Sequence, residues 1–164
     1  MRSILKVKWD SNLPIYAISQ AELQKEEVYC LLIDVDGTLV NRKSTMIPIA
    51  VKKWISESKK LFSLYLISNN PSKKRIAQIA KELNLRYKYN ASKPRKKVTL
   101  SAIKEIGFEP KNIAIIGDRI FTDMIVGNRC NIKTILVKRL KRDGLPIKFN
   151  LTLTIEKLIS KFIK

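Results

Sequence analysis

Four apolar runs constrain the fold of this chain more than any other feature: VYCLLIDV (28–35), LFSLYLIS (61–68), NIAIIGD (112–118) and KTILVK (133–138). Each is rich in branched or aromatic residues and reads as a buried strand. The segments between them carry helical periodicity instead. Ser19 followed by Glu22 makes a capping-box pattern that opens QAELQKEE. IPIAVKKWISESKK offers Ile49, Trp54 and Ile55 as buried positions. NNPSKKRIAQIAKELN puts Pro71 near its first helical position and Ile76, Ile79, Ala80 and Leu83 on one stripe. RYKY is a short strand candidate, PRKKVTLSAIKEIG a helix closed by Gly107, and FTDMIVGNRCN the start of a short helix. Strands that alternate with helices predict an α/β fold, a Rossmann-like doubly wound parallel sheet with helices on both faces.

At 164 residues the chain suits one domain over 1–164, with an irregular segment at 1–13 and a docking helix at 153–164. In that tail Ile155, Leu158, Ile159, Phe162 and Ile163 share one face, with Lys157, Lys161 and Lys164 off it. The expected role is to cover the core; a membrane-surface helix is the alternative. Cys30 and Cys130 form no CxxC pair, which fits a reducing compartment. No apolar run reaches membrane-spanning length and the N-terminus has no secretory signal pattern. The expectation is a cytoplasmic protein, or one of an organelle stroma or matrix, with peripheral membrane attachment left open. Oligomeric state is not legible.

The net charge of +19 invites a nucleic-acid reading. Against it, the basic residues are spread along the chain, with no RNP signature, zinc finger or helix-turn-helix glycine pattern beside them. Lysine far outnumbers arginine and isoleucine is abundant, as coding biased toward A and T produces. Nucleic acid is therefore disfavoured, and a generally anionic partner or surface is preferred.

Parallel α/β sheets bind ligands at the carboxyl ends of their strands. There this sequence carries Asp34 and Asp36 after the first run, and Ser68 and Asn69 after the second. Lys93 lies in the loop before PRKKVTLSAIKEIG, and Asp118 and Asp123 follow IAIIG. Asp34 and Asp36 share a strand face, where two like charges repel unless something compensates. Each residue alone has a plain reading as a turn or helix cap. Their convergence on one rim has none.

DVDGTLV, LISNN, SKP and IIGDRIFTD resemble, in type and order, the four motifs of the haloacid dehalogenase (HAD) superfamily of phosphohydrolases. The resemblance implies a phosphomonoester substrate and Mg²⁺, a hard cation that relieves repulsion between a carboxylate nucleophile and a phosphate dianion. By motif position, Asp34 attacks phosphorus to give an aspartyl-phosphate. Asp36 protonates the leaving oxygen and then activates water, aided by a carboxyl pKa raised by its acidic neighbour. Ser68 hydrogen-bonds the phosphoryl group and Lys93 neutralises it. The metal falls to Asp34, the Asp36 carbonyl, Asp118 and Asp123, and further substrate contacts to Gly37, Thr38 and Asn69.

Spacing and resemblance narrow the branch. About 28 residues separate Val40 from Ser68, and the gap from Ser68 to Lys93 is similarly short, so neither holds a cap domain. From Pro14 to Val137 the chain resembles the YqeG-type, subclass IIIA phosphatases, a branch that includes phosphatidylglycerophosphate phosphatases. Gly37 stands where that branch usually has asparagine, and Asn131 where it usually has glycine. The resemblance implies a lipid phosphate at an anionic membrane surface. Lys73, Lys74, Arg75, Arg95, Lys96 and Lys97 are candidates to flank the site's rim or, equally, a solvated charge run. The same chemistry on a soluble phosphometabolite or phosphoprotein is an alternative, as is a basic nucleic-acid-binding or scaffold protein without turnover.

Overall fold

Every strand pairing in the computed structural model is parallel, and the six strands stand in the order β1-β6-β5-β2-β3-β4. The structure describes residues 7–148 and 150–162. In chain order the elements are β1 (Trp9–Asp10), α1 (Gln20–Lys25), β2 (Cys30–Ile33), α2 (Ile49–Ser58), β3 (Ser63–Ile67) and α3 (Lys73–Leu83). They continue with β4 (Arg86–Lys88), α4 (Lys97–Ile106), β5 (Ile113–Gly117), α5 (Ile125–Arg129), β6 (Lys133–Leu136) and α6 (Leu151–Phe162). A π-helical turn, Ile120–Met124, leads into α5.

Alternation along the central strands explains why both sheet faces are covered. Leu31 and Ile33 point to one side and pack with Trp54 and Ile55 of α2 and Ile76 and Ile79 of α3. Cys30 and Leu32 point to the other and meet Ala102 and Ile103 of α4 and Val126 of α5. Burial on both faces is why these strands read as continuous apolar runs rather than alternating ones. The expected doubly wound α/β architecture is present, with no cap inserted among the described residues.

Strand order reverses between β2 and β5, which are hydrogen-bonded neighbours in register from Cys30–Ile113 to Ile33–Ile116. From there the chain winds outward through β3 and β4 on one side, and through β6 on the other. The crevice at their carboxyl ends is the topological switch point, where such folds bind ligands. Asp34 follows β2 directly and its N–H donates to the Ile116 carbonyl at 2.9 Å, so the crevice begins at a fixed backbone position.

Four details differ from the sequence expectation. Residues 9 and 10, taken as irregular, form the edge strand β1 beside β6, with the Lys8 N–H donating to Thr134 Oγ1 nearby. A two-residue strand is too short to show a period. Pro71 precedes the helix rather than opening it, since Ser72 is the N-cap of α3 and accepts from the Arg75 N–H. Ile49, taken as buried, is 85% exposed.

The largest correction concerns α6. Its buried side is Glu156, with Leu153 partly packed, while Leu151, Ile155, Leu158 and Ile159 face outward. The carboxylate of Glu156 accepts from the Ile120 N–H at 2.8 Å at the start of the π-turn, and Lys157 pairs with Asp10 at 2.6 Å. A polar anchor therefore sets the helix rotation, which period alone could not reveal. Residues 163 and 164 of the expected docking segment lie outside the described residues, as do residues 1–6 of the expected irregular one. No helix among the described residues is long and apolar enough to cross a membrane.

Candidate active site

The strand ends bring Asp34, Asp36, Ser68, Asn69, Lys93, Asp118 and Asp123 around one cavity of about 340 Å³. A cavity of similar size lies at the amino end of β6 beside Lys8 and Lys133, away from this cluster. Lys93 is the centre of the acidic group. Its buried Nζ donates to Asp34 Oδ1 and Asp123 Oδ1, both at 2.6 Å, and to the Ile67 carbonyl at 3.0 Å. Three acceptors satisfy all three ammonium protons. Burial pulls the Lys93 pKa down, but the Asp123 and Asp34 carboxylates outweigh it and raise it overall, so the residue stays cationic.

Asp34, Asp118 and Asp123 are buried and each offers an oxygen within 4.8 Å of the others. Burial, opposed by Lys93 and reinforced by Asp123 and Asp118, pushes the Asp34 carboxyl up to about 8. Burial and Asp123 likewise lift Asp118 to about 6, against the pull of Arg139. Arg139 Nε donates to Asp118 Oδ2 at 2.5 Å, while Asp118 Oδ1 is buried without a partner among the described residues. Among the described residues, three carboxylates thus pair with two cations, Lys93 and Arg139. The residual negative charge, the all-oxygen donor set and the orphaned Oδ1 fit a hard divalent cation.

Two glycines make this packing possible. A Cβ on Gly117, the last residue of β5, would lie 2.3 Å from Asp123 Cγ, so only glycine lets that carboxylate fold back over the strand end. Gly37 has φ +97°, and a Cβ there would lie 2.6 Å from Asp118 Oδ2 and 3.2 Å from Arg139 Nε. Asparagine at 37, usual in the branch the sequence resembles, would collide with the Asp118–Arg139 pair as it stands here. Gly37 and Arg139 form one local solution. Asn131 has φ +57°, a left-handed conformation that asparagine tolerates.

The remaining polar residues divide between facing the cavity and holding its walls. Ser68 is buried, and its Oγ accepts from the Asn70 N–H at 3.1 Å, which leaves its own hydrogen free to donate. Thr38 Oγ1 donates to Asp34 Oδ2 at 3.4 Å from a fully buried position, behind the carboxylate. Asn69 lines the cavity, but its amide is committed to the Lys93 main chain: Nδ2 donates to the carbonyl at 2.9 Å and Oδ1 accepts from the N–H at 2.7 Å. Both residues, expected to contact substrate, are geometrically suited to fixing Asp34 and Lys93.

Asp36 is gripped from the other wall. Asn70 Nδ2 donates to its Oδ2 at 2.8 Å, and Arg75 Nη1 lies 2.7 Å from its Oδ1 as an ion pair, at angles outside hydrogen-bond geometry. Arg75 Nη2 also donates to the carbonyls of Ser44 at 2.6 Å and Asn41 at 3.2 Å. Arg75 is thus turned inward from α3 rather than standing among free rim cations. A cation, and not only an acidic neighbour, sets the environment of Asp36. Sequence reasoning assigned no site role to Asn70, Arg139, Arg42 or Arg119; the last two line the cavity. Asn70 is the second asparagine of SNN and Arg119 falls inside IIGDRIFTD, whereas Arg42 and Arg139 sit inside basic stretches that gave no signal.

Residues 90–145 match the HAD-hydrolase-like family. Over 137 residues the chain is 28% identical to the Bacillus subtilis (strain 168) protein named "Probable phosphatase YqeG", covering 83% of this chain and 80% of that one. In sequence the chain is thus similar to HAD-like hydrolases. Its fold is similar to that of an uncharacterized protein from Listeria monocytogenes serotype 4b, with a TM-score of 0.57 and 16% identity, over 83% of this chain and 100% of that one. It is also similar to the HAD-hydrolase YfnB from Bacillus subtilis, solved bound to magnesium, with a TM-score of 0.55 and 14% identity, over 81% and 98% of the two chains. The matched segment contains Lys93, Asp118, Asp123 and Arg139, and so two of the three clustered carboxylates; Asp34 lies outside it.

Proposed function

We propose that this HAD-like phosphatase is Mg²⁺-dependent and removes the terminal phosphate of a lipid phosphomonoester such as phosphatidylglycerophosphate. The observation that carries the chemistry is the buried Asp34–Lys93–Asp123 cluster beside Asp118, a site built for anion and dication together. Asp34, Asp118 and Asp123 would hold the metal, with the Asp36 carbonyl as the expected fourth protein donor. Bound there, the ion supplies Lewis-acid polarisation of the phosphate and reduces its repulsion of Asp34.

The chain's own groups account for the rest. The Asp34 carboxylate attacks phosphorus, and the P–O bond to the leaving alkoxide breaks. Lys93 Nζ and the free hydrogen of Ser68 Oγ meet the charge that spreads over the phosphoryl oxygens. Asp36, protonated for the first step, gives its proton to the departing oxygen and is left as a carboxylate. Arg75 and Asn70 suit that carboxylate form and aim it at the water that attacks the phosphorus of the aspartyl-phosphate. Inorganic phosphate then leaves, and the proton from water returns to Asp36.

The lipid reading is supported by a cavity over which the described residues build no cap, by Arg42 and Arg119 in its lining, and by the net charge of +19. Phosphatidylglycerophosphate carries a phosphodiester beside its terminal phosphate, a second anionic group for Arg42 to meet, while Arg119 is paired with Glu156 at 3.4 Å. A panel of phosphatidylglycerophosphate, sugar phosphates, nucleotides and phosphopeptides tests the assignment. The lipid should give the highest kcat/KM; a soluble substrate ranked above it would move the assignment to a phosphometabolite or phosphoprotein. RNA binding without any hydrolysis would favour the scaffold alternative.

Metal binding has a pH signature. In the metal-free protein the folded-state pKa values of Asp34 and Asp118 lie above their ordinary value of 3.8, at about 8 and about 6. The folded state then holds more protons than the unfolded state between about pH 4 and 8, so these groups make stability fall as pH rises through that window. A metal must displace those protons. The gain in Tm on adding Mg²⁺ should therefore be larger near pH 8 than near pH 6. Equal gains at both would contradict the assignment of Asp34 and Asp118 as ligands.

A further inference from the structure

Two loops at the carboxyl rim of the sheet carry large apolar side chains that none of the described residues covers. Met46 and Ile49, on either side of the start of α2, are 79% and 85% exposed, and Leu145, beyond β6, is 57% exposed. The loops touch: a Cβ on Gly144 would lie 2.8 Å from the Pro48 ring, so the tip carrying Leu145 is seated between Met46 and Ile49 in sequence. The second loop is a small hairpin, closed by the antiparallel Leu140–Pro146 bridge and by the Lys141 N–H donating to the Leu145 carbonyl at 2.8 Å. Exposed cations stand beside the apolar residues, Lys43 in the first loop and Lys141 and Arg142 in the second. The one acid in the hairpin, Asp143, accepts from the Leu145 N–H and so stiffens the turn.

Both loops are rooted in the active site. The first runs from Asp36 and is tied down by Arg75 through the carbonyls of Asn41 and Ser44. The second begins at Arg139, which holds Asp118, and at Leu140, whose N–H donates to the Gly37 carbonyl at 2.8 Å. The loops that carry the apolar trio are therefore anchored on residues that build the site.

We propose that Met46, Ile49 and Leu145, with Lys43, Lys141 and Arg142, form a docking rim for the surface of an anionic lipid bilayer. An exposed apolar patch ringed by polar residues marks an interaction surface. The cations select the occupant: they complement an anionic headgroup layer, while the apolar tips enter the acyl boundary beneath it. Docking there would bring the cavity to the lipid surface. The purpose of the rim rests on the lipid-phosphate reading; its existence does not.

Flotation of the full chain with vesicles tests it, using phosphatidylcholine alone and phosphatidylcholine mixed with phosphatidylglycerol, neither of which carries a phosphomonoester. The protein should float with the mixed vesicles and not with the neutral ones. The triple variant Met46→Ser, Ile49→Ser, Leu145→Ser should bind the mixed vesicles about tenfold less or weaker, with aryl phosphate hydrolysis unchanged as the control for folding. Failure of the unaltered chain to float, or equal binding by the triple variant, would overturn the rim. So would loss of binding on substituting only the outward face of α6, Leu151→Ser, Ile155→Ser, Leu158→Ser, with the trio intact. A trio-dependent dimer in sedimentation, without vesicle binding, would make the patch a self-contact instead. Flotation that succeeds while phosphatidylglycerophosphate in detergent micelles is not hydrolysed would keep the rim and remove the lipid substrate.

Discussion

Asp34→Asn is expected to reduce phosphate release by a factor of about 10⁴ or more, the scale at which loss of a covalent nucleophile is felt. The amide is nearly the same size, and the Thr38 contact and the backbone anchor to Ile116 leave the strand end in place. What is lost is the oxygen nucleophile and one negative ligand atom. Lys93 Nζ would keep its bonds to Asp123 and the Ile67 carbonyl, so the variant should fold. Steady-state hydrolysis of an aryl phosphate beside a thermal melt separates the two effects. Appreciable turnover in a well-folded Asp34→Asn protein would remove Asp34 as the attacking group.

Lys93→Met is expected to cost activity and metal-free stability together. The methionine fills most of the volume but removes the cation that Asp34 and Asp123 share at 2.6 Å each. Breaking one partner out of a buried ionic cluster typically costs about 3–5 kcal/mol. The loss should depend on pH. Lys93 is the strongest influence lowering the Asp34 pKa, so without it the carboxyl stays protonated to still higher pH. Near pH 6 protonation relieves much of the strain; at higher pH the ionised folded state is penalised. The Tm deficit relative to the unaltered protein should therefore widen from pH 6 to pH 9, and Mg²⁺ should narrow it. Turnover should fall by about 10²–10³, the scale of losing one preorganised charge at a transition state. A deficit that shrinks with rising pH would contradict the assigned electrostatics.

The sequence carried the architecture and most of the acidic cluster because both rest on local, periodic signals. Continuous apolar runs mark strands covered on both faces, and the strand-end rule turns them into a list of site positions. Asp34, Ser68, Lys93, Asp118 and Asp123 were all legible in this way. What was not legible depends on long-range pairing. Arg75 reaches Asp36 across 39 positions of sequence, and Arg139 reaches Asp118 across 21, each from a basic stretch where lysine and arginine are common. The rotation of α6 failed for a related reason. One carboxylate, Glu156, satisfies a backbone N–H at the π-turn and is buried, while the apolar stripe that periodicity sent inward faces out. Gly37 shows the reverse case: its departure from the branch pattern is explained once Asp118 and Arg139 are seen packed against it.

The central claim is that phosphorus is transferred to the carboxylate of Asp34. Acid quenching of the protein during turnover, followed by borohydride reduction and peptide mass spectrometry, tests it directly. An acyl phosphate at position 34 reduces to homoserine, so the account predicts that conversion at Asp34, and its absence in Asp34→Asn. Phosphate release with no modified residue, or with the modification at Asp36, Asp118 or Asp123, would contradict it.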